Sequence, residues 1–528
     1  MIISQQFNLN ATKNLAKGVY RYLGKETNYS DIRTKIAKLS YLYLSEVGPG
    51  ARVAFVARNC PAYITTLFAL SNCRSVIIPV DPNKPPEEVL AWLKDSKATH
   101  VAVTGDLVGP VRDIMMTGHI NLPIIEMEKK QGGEYATSFT PPPDNPPNEM
   151  DQIVLFRTAG NTGKPKFVGF NHKQLTGAAS ALKGPYHVGS TDRFYTNLSW
   201  AHPYAFMHAM FMPLMTGSTV IIDHGLEGKD LLDFLVESRV SRMVSIPSFY
   251  LKVLLTCRDE KRRVPAAVKS ATVGLGPLHP EVRKTLEMMN IAVTNTYGLA
   301  EACWTVAMED TRKEGAEEAA YGKKKRPKPE AAKEAPAGPQ KGIFVGKGLA
   351  GLKYKVIDAG GDEITGGEER EGLFCITGPS MMSGYFENDK DSKQTIRGTW
   401  LYTGEYAKLE GEGETLKITF LARREDGIRN GNEILIPNLI DKFIKGVPGV
   451  FDGAGFVLKN SKNEQKFVVA AVKNPGSLSE KQILDHLASQ LPSDLVPVAV
   501  VFTDSIPRDT GGNVNRYRLA AQFSGSLG

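Results

Sequence analysis

The chain reads as an α/β protein with a β-rich appendage and a small α+β tail, and three features of the sequence point to this. Short apolar runs alternate with amphipathic stretches up to about Pro247. After about residue 342 the runs become β-like and closely spaced, as in KYKVID, GLFCITG and LKITFLA. From about Asp426 strands and helices mix over a short length, with KFVVAAV (Lys466 to Val472) and VAVVFT (Val498 to Thr503) as the strands.

Taken in order, RVAFVA (Arg52 to Ala57), SVIIPVD (Ser75 to Asp81), HVAVTG (His100 to Gly105), STVIID (Ser218 to Asp223) and RMVSIP (Arg242 to Pro247) are buried strands by length and β-branched content. Between them Tyr29 to Val47, Pro85 to Ser96 and Leu231 to Arg239 carry helical spacing. Strand and helix in alternation imply layers with largely parallel sheets. A chain of 528 residues, 42% hydrophobic, is too long for one core and implies two or three units.

The five cysteines are far apart and form no CxxC pair, so neither a disulfide framework nor a zinc site is suggested, and a reducing cytoplasm fits. The first residues lack the pattern of a signal peptide, and no stretch approaches ~20 uninterrupted apolar residues, so no membrane span is expected. The formal charge of +7 is uneven. Residues 311–341 hold nine basic and five acidic residues in an Ala-, Pro-, Lys- and Glu-rich stretch with almost nothing to bury, which reads as a surface insertion. KKKRPK (Lys323 to Lys328) comes with no aromatic platform or recognition-helix pattern, so no nucleic-acid partner is expected.

The most informative motif is RTAGNTGKPKFVGFNH (Arg157 to His172). It sets Thr158, Gly160, Thr162, Gly163, Lys164 and Lys166 between a β-like run, Ile153 to Phe156, and a segment that reads as turn then helix. Hydroxyls, unhindered amides and ammonium groups on one loop suit polyphosphate oxygens. Taken alone, it reads equally as a Gly/Thr-rich surface turn. It is not a Walker loop, because only two residues separate Gly160 from Gly163 and Pro165 follows Lys164. GLGPLH (Gly274 to His279) has a histidine where a dinucleotide fingerprint needs its third glycine.

Five ordered blocks resemble the adenylate-forming (ANL) superfamily of acyl- and aryl-CoA synthetases, fatty-acid AMP ligases, luciferases and peptide-synthetase adenylation domains. They are RTAGNTGKPK, NTYGLAEA (Asn295 to Ala302), WLYTGEYA (Trp400 to Ala407), ARREDGIRNGNEILIPNLID (Ala422 to Asp441) and IPRDTGGNVNRYRL (Ile506 to Leu519). The resemblance implies a large N-terminal domain of stacked αβαβα sheets over residues 1–424, with 311–341 as insertion and 342–424 as β-rich subdomain. Residues 425–528 would be a small mobile C-terminal lid.

It also implies a chemistry. A small-molecule carboxylic acid, fatty or aryl, attacks the α-phosphate of MgATP, pyrophosphate leaves, and the acyl-adenylate passes to a thiol of CoA or of a phosphopantetheine acyl carrier protein. By the same resemblance Thr158, Gly160, Thr162, Gly163 and Lys166 hold the β- and γ-phosphates, and Glu301 holds Mg²⁺, a hard cation that prefers oxygen. Gly276, Pro277, Tyr297 and Gly298 frame adenine, Glu405 accepts from the ribose hydroxyls, and Arg423 reaches ribose and phosphate. His202 stands beside the reacting carboxylate, Glu425 is the hinge, and an apolar acyl pocket is lined by Phe206, Met207, Met210, Phe249 and Tyr250. A homodimer is compatible with the reading.

The departures matter as much as the matches. The family's C-terminal lysine falls on Asn513, and a neutral amide cannot supply its charge; losing one such donor typically costs ~10²–10³ in rate. Arg508 or Arg516 could replace it, though not equivalently. Glu405 stands for Asp, Phe167 and Asn432 for Gly, and Ala159 and Asn161 for the usual Ser and Thr. Two alternatives therefore stay open: a nucleotide- or acyl-adenylate-binding homologue that catalyses poorly or only the thiol transfer, and an interaction protein using the basic insertion.

Overall fold

A computed structural model of the chain describes all residues except 14, 128–138, 141–145, 159–163, 311–341, 425, 427, 431–432, 436, 460–464, 475, 477, 492–495, 509–513 and 525–528. The insertion, the glycines of the Gly160 loop, Glu425 and Asn513 thus lie outside the described residues.

The strands read from the sequence are present and build two sheets. One has six strands in the order Ile124–Glu126, His100–Val103, Arg52–Val56, Val76–Val80, Gln152–Arg157 and Phe167–Asn171. All its pairings are parallel except the last. The other is parallel where Ala292–Tyr297, Ser270–Val273, Arg242–Ser245, Arg193–Tyr195, Thr219–Ile222 and Gly18–Tyr22 lie side by side.

Residue alternation along these strands shows how the layers stack. Val53, Phe55 and Ile77 point into one cluster, while Ala54, Val56 and Ile78 point into another with Val89, Trp92 and Val111. In the second sheet Phe194, Val220 and Val244 join that same first cluster, and Tyr195, Ile221 and Met243 face a third with Leu232, Leu235 and Val253. The shared cluster contains Phe7, Leu67, Phe68, Leu175 and Leu182, from helices Ile3–Lys13, Pro61–Asn72 and His172–Tyr186. The order is therefore helix, sheet, helix, sheet, helix. Burial on both faces is why the strands are continuous apolar runs rather than alternating ones.

Helix boundaries follow local chemistry. Asn28 caps Tyr29–Glu46 by accepting from Asp31 N at 2.8 Å, and its Ile32, Ile36 and Tyr43 bury one face. Asn171 and Gln174 form a capping box that starts His172–Tyr186. This corrects the reading of the segment after the Gly160 loop. Phe167–Asn171 is a strand antiparallel to Gln152–Arg157, so the loop closes a hairpin and the helix begins only at His172.

The β-rich stretch extends the second sheet. Ala307–Met308 pairs with Tyr297's strand and with Ile343–Gly348, and the antiparallel strands Lys417–Arg423, Trp400–Glu410, Glu369–Thr377 and Lys353–Ile357 continue the second sheet. The C-terminal unit has a three-stranded sheet of Val450–Lys459, Gln465–Lys473 and Ala499–Phe502, with helices including Pro437–Lys445, Glu480–Ala488 and Arg516–Gln522. Ile440, Ile444, Val469, Ile483 and Leu487 form its core. Among the described residues no helix is long and apolar enough to cross a membrane.

Candidate active site

The hairpin geometry sets the mouth of the Gly160 loop. Thr158 N donates to Lys166 O at 2.8 Å, and Lys166 N donates to Thr158 Oγ1 at 2.9 Å, so the two outer residues of the motif clamp its ends. The hydroxyl of Thr158 keeps its own proton to donate.

From that clamp Lys166 reaches a segment to which sequence reasoning assigned no role. Its Nζ pairs with Asp391 at 2.6 Å and lies 4.6 Å from the centre of the Tyr385 ring. The Tyr385 hydroxyl donates to Glu301 Oε1 at 2.8 Å, across 84 positions of chain. Backbone bonds hold the segment in place: Phe386 N to Phe167 O at 2.8 Å and Met382 N to Glu301 O at 2.8 Å. Asn388 Nδ2 fixes Asp391 at 3.0 Å. Burial and the Glu301 carboxylate push the Tyr385 phenol well above its ordinary value, so it remains a donor. Thus Lys166 and Glu301, far apart in sequence, converge on one tyrosine, and Thr158 is joined to them through its bonds to Lys166. Among the described residues no cation pairs with Glu301, which leaves its carboxylate fit for a hard divalent ion.

A second group forms where two strands of the extended sheet run side by side. Glu405 and Arg423 are cross-strand partners, and the Tyr297 hydroxyl donates to Glu405 Oε2. Glu405 is 8% exposed; burial raises its pKa to about 7, against the pull of Arg423 and with the push of Asp426. Asp426, half-buried, has its carboxyl raised by desolvation while Arg516 and Arg423 oppose the rise. Gly276 and Pro277 lie on the turn after Ser270–Val273, whose register pairs Val273 with Asn295 and so places the turn beside the end of Tyr297's strand.

The third group surrounds His202. Its Nδ1 accepts from Tyr204 N at 3.1 Å, and burial, with Lys84 nearby, lowers its pKa to about 4. The ring is neutral at physiological pH with its proton on Nε2. Trp304 stands edge-on to it, ring centres 5.2 Å apart. After His202 the chain enters a π-helical turn, Phe206–Phe211, a distortion that often marks a functional site. His208 within it accepts from the Tyr186 hydroxyl and holds Trp304 O at 3.0 Å.

Residues 297–304 join the three groups. Gly298 belongs here for packing: a Cβ on it would lie 2.4 Å from the Trp304 backbone. The acyl pocket expected from sequence is not open in this form. Phe206, Met207, Met210 and Tyr250 have no exposure and are core, because the π turn and the strand faces bury them. Phe249 alone of the five lines a cavity, one of about 780 Å³ that also touches Asn197, Ser199, Arg58 and Lys252. Its walls include the Arg58–Asp106 and Lys252–Glu227 ion pairs.

In the terminal unit, both arginines considered as stand-ins for the absent lysine are engaged. Arg516 is buried, pairs with Asp441 and donates from Nε to Gly455 O at 2.8 Å. Arg508 makes a two-pronged pair with Asp452 at 2.7 and 2.9 Å. Tyr385, Asp391, Trp304 and Asp426 were missed by sequence reasoning. Tyr385, Asp391 and Trp304 lie outside the five motif blocks, and Asp426, inside the block Ala422 to Asp441, carried no role there.

Two stacked α/β sheets, an antiparallel extension and a small α+β C-terminal domain define the fold of the ANL synthetases. The chain belongs to the AMP-binding enzyme family, whose model matches residues 7–386. Feruloyl-CoA synthase of Amycolatopsis sp is 23% identical over 505 residues, covering 95% of each chain. ATP-bound MatB from Rhodopseudomonas palustris superposes with a TM-score of 0.79 at 18% identity over 100% of both chains. O-succinylbenzoate coenzyme A synthetase (MenE) from Bacillus subtilis, solved with ATP and magnesium, gives 0.76 at 18% identity, covering 97% of this chain and 98% of that one.

Proposed function

We propose that the protein is an ATP-dependent acid–thiol ligase. A carboxylate attacks the α-phosphorus of ATP with loss of pyrophosphate, and the acyl-adenylate then transfers its acyl group to a thiol of CoA or a carrier-protein pantetheine, releasing AMP and a proton. The observation that carries this is the convergence of Lys166 and Glu301 on Tyr385, with Thr158 bonded to Lys166, within a family fold. The attacking carboxylate is already charged, so alignment and charge neutralisation at phosphorus are what the chain must supply.

In this reading Lys166 exchanges Asp391 for β/γ-phosphate oxygens, and Thr158, with Gly160, Thr162 and Gly163, donates to the same group. Glu301 would hold Mg²⁺, which neutralises phosphate charge when bound. Tyr297 and the Gly276–Pro277 turn flank the adenine, and Glu405 and Arg423 take the ribose. His202, neutral, offers Nε2–H to the acid without adding charge. The hinge is Glu425, with the boundary at 424/425, so that the small domain presents different faces to the two half-reactions.

One observation favours a slowed first half-reaction. Asn513 replaces the usual lysine, and Arg508 and Arg516 are held by Asp452 and Asp441. Pyrophosphate release with a panel of acids tests the proposal, and Asn513→Lys is expected to speed it at least tenfold. Release by neither form with any acid would leave the nucleotide-binding alternative; equal rates would show that another cation already acts.

A further inference from the structure

We infer that Trp304 closes the acid side of this site and restricts the acid to a short aliphatic one, of acetate to butyrate size. The inference rests on the adenylation reading and narrows the fatty or aryl acid expected from sequence. If His202 stands beside the reacting carboxylate, the groups around His202 are the walls that the rest of the acid meets.

Those walls are solid. The Trp304 indole lies 5.2 Å from the His202 ring and 5.8 Å from that of Tyr204. Tyr204 is fully buried and donates to Thr272 O at 3.1 Å and Ser245 O at 3.3 Å. Tyr250 donates to the same Thr272 carbonyl at 2.7 Å, so strand backbone anchors both rings. Gly274 lies flat against Tyr204, where a Cβ would be 2.6 Å from the ring. Phe206, Met207 and Met210, fully buried, share the core cluster of Tyr204, and Trp304 packs against that cluster.

The indole is equally constrained at its root. Cys303 and Trp304 are both left-handed, with φ of 49° and 56°, a conformation that non-glycine residues adopt at a cost. Trp304 N donates to Leu299 O at 2.8 Å, and its carbonyl is held by His208. Swinging the ring aside by moving the backbone would break both bonds. Among the described residues the buried indole N–H has no protein acceptor, a vacancy that a carboxylate oxygen satisfies and a methylene does not. The 780 Å³ cavity has neither His202 nor Trp304 among its walls, so it is a separate space from the one they bound.

The test uses the whole chain and stable mimics of acyl-adenylates, sulfamoyl adenosines bearing acetyl, butanoyl, octanoyl and cinnamoyl groups, with unacylated sulfamoyl adenosine as reference. In calorimetry the parent is expected to bind the acetyl and butanoyl mimics at least tenfold more tightly than the octanoyl and cinnamoyl ones. Trp304→Gly, which suits the left-handed backbone, is expected to erase that difference, each affinity being taken relative to that of the reference for the same form. Equal affinity of the parent for short and long mimics would overturn the inference, as would a preference that survives Trp304→Gly. Failure of the reference itself to bind the parent would instead remove the adenylation reading beneath it. If the glycine variant does not fold, the parent series alone decides.

Discussion

Glu405 shows how one side chain ties stability to binding. Its pKa is about 7 in the folded chain, against an ordinary value of 4.5, chiefly because it is desolvated. Between those values the folded state holds a proton that the unfolded state has lost, so stability falls as pH rises and the contribution is gone above about 7. The loss is at most about 3 kcal/mol, from 1.36 kcal/mol per pH unit. Glu405→Gln is expected to be the more stable form at pH 8 and no more stable at pH 4, as thermal unfolding across pH would show. Nucleotide affinity should move the opposite way, strengthening as the carboxylate ionises and can accept from ribose hydroxyls. A flat stability difference between the two forms would contradict this account.

At the scale of elements, the turn from Tyr297 to Trp304 positions most of the site, and its shape depends on Gly298. An added methyl meets the Trp304 backbone, which two hydrogen bonds already hold. Gly298→Ala is therefore expected to destabilise the chain by about 1–3 kcal/mol and to weaken nucleotide binding as well, read by denaturant unfolding and titration. Unchanged stability would show the turn to be more compliant than described.

This is also the scale at which sequence was most and least informative. The parallel strands were legible because burial on both faces writes them as unbroken apolar runs such as VIIPV. Phe167–Asn171 was misread because FVGFN follows a Gly/Pro-rich loop and runs into a capped helix, so its antiparallel pairing leaves no periodic trace. The residues carried by motifs could be proposed in advance. Tyr385 and Asp391 could not be given roles, since a contact over 84 positions is a property of sheet order. The apolar acyl wall was misjudged for a related reason: Phe206, Met207 and Met210 have the composition of a pocket and the packing of a core.

For the whole molecule, the question is what a large domain proposed to bind MgATP does with a small domain that carries Asn513. The terminal unit has its own core and keeps Arg516 in a buried pair, so its architecture does not depend on the missing lysine. Binding and catalysis can therefore separate in this chain: the Lys166, Glu301 and Glu405 groups belong to the large domain, and the lost charge to the small one. That division makes MgATP binding the central claim and the speed of adenylation a secondary one. Its most direct test is calorimetric titration of the whole chain with MgATP, beside Lys166→Ala and Glu301→Gln. The account predicts saturable one-site binding, weakened at least tenfold by each substitution. Absence of binding, or binding that ignores both substitutions, would contradict it.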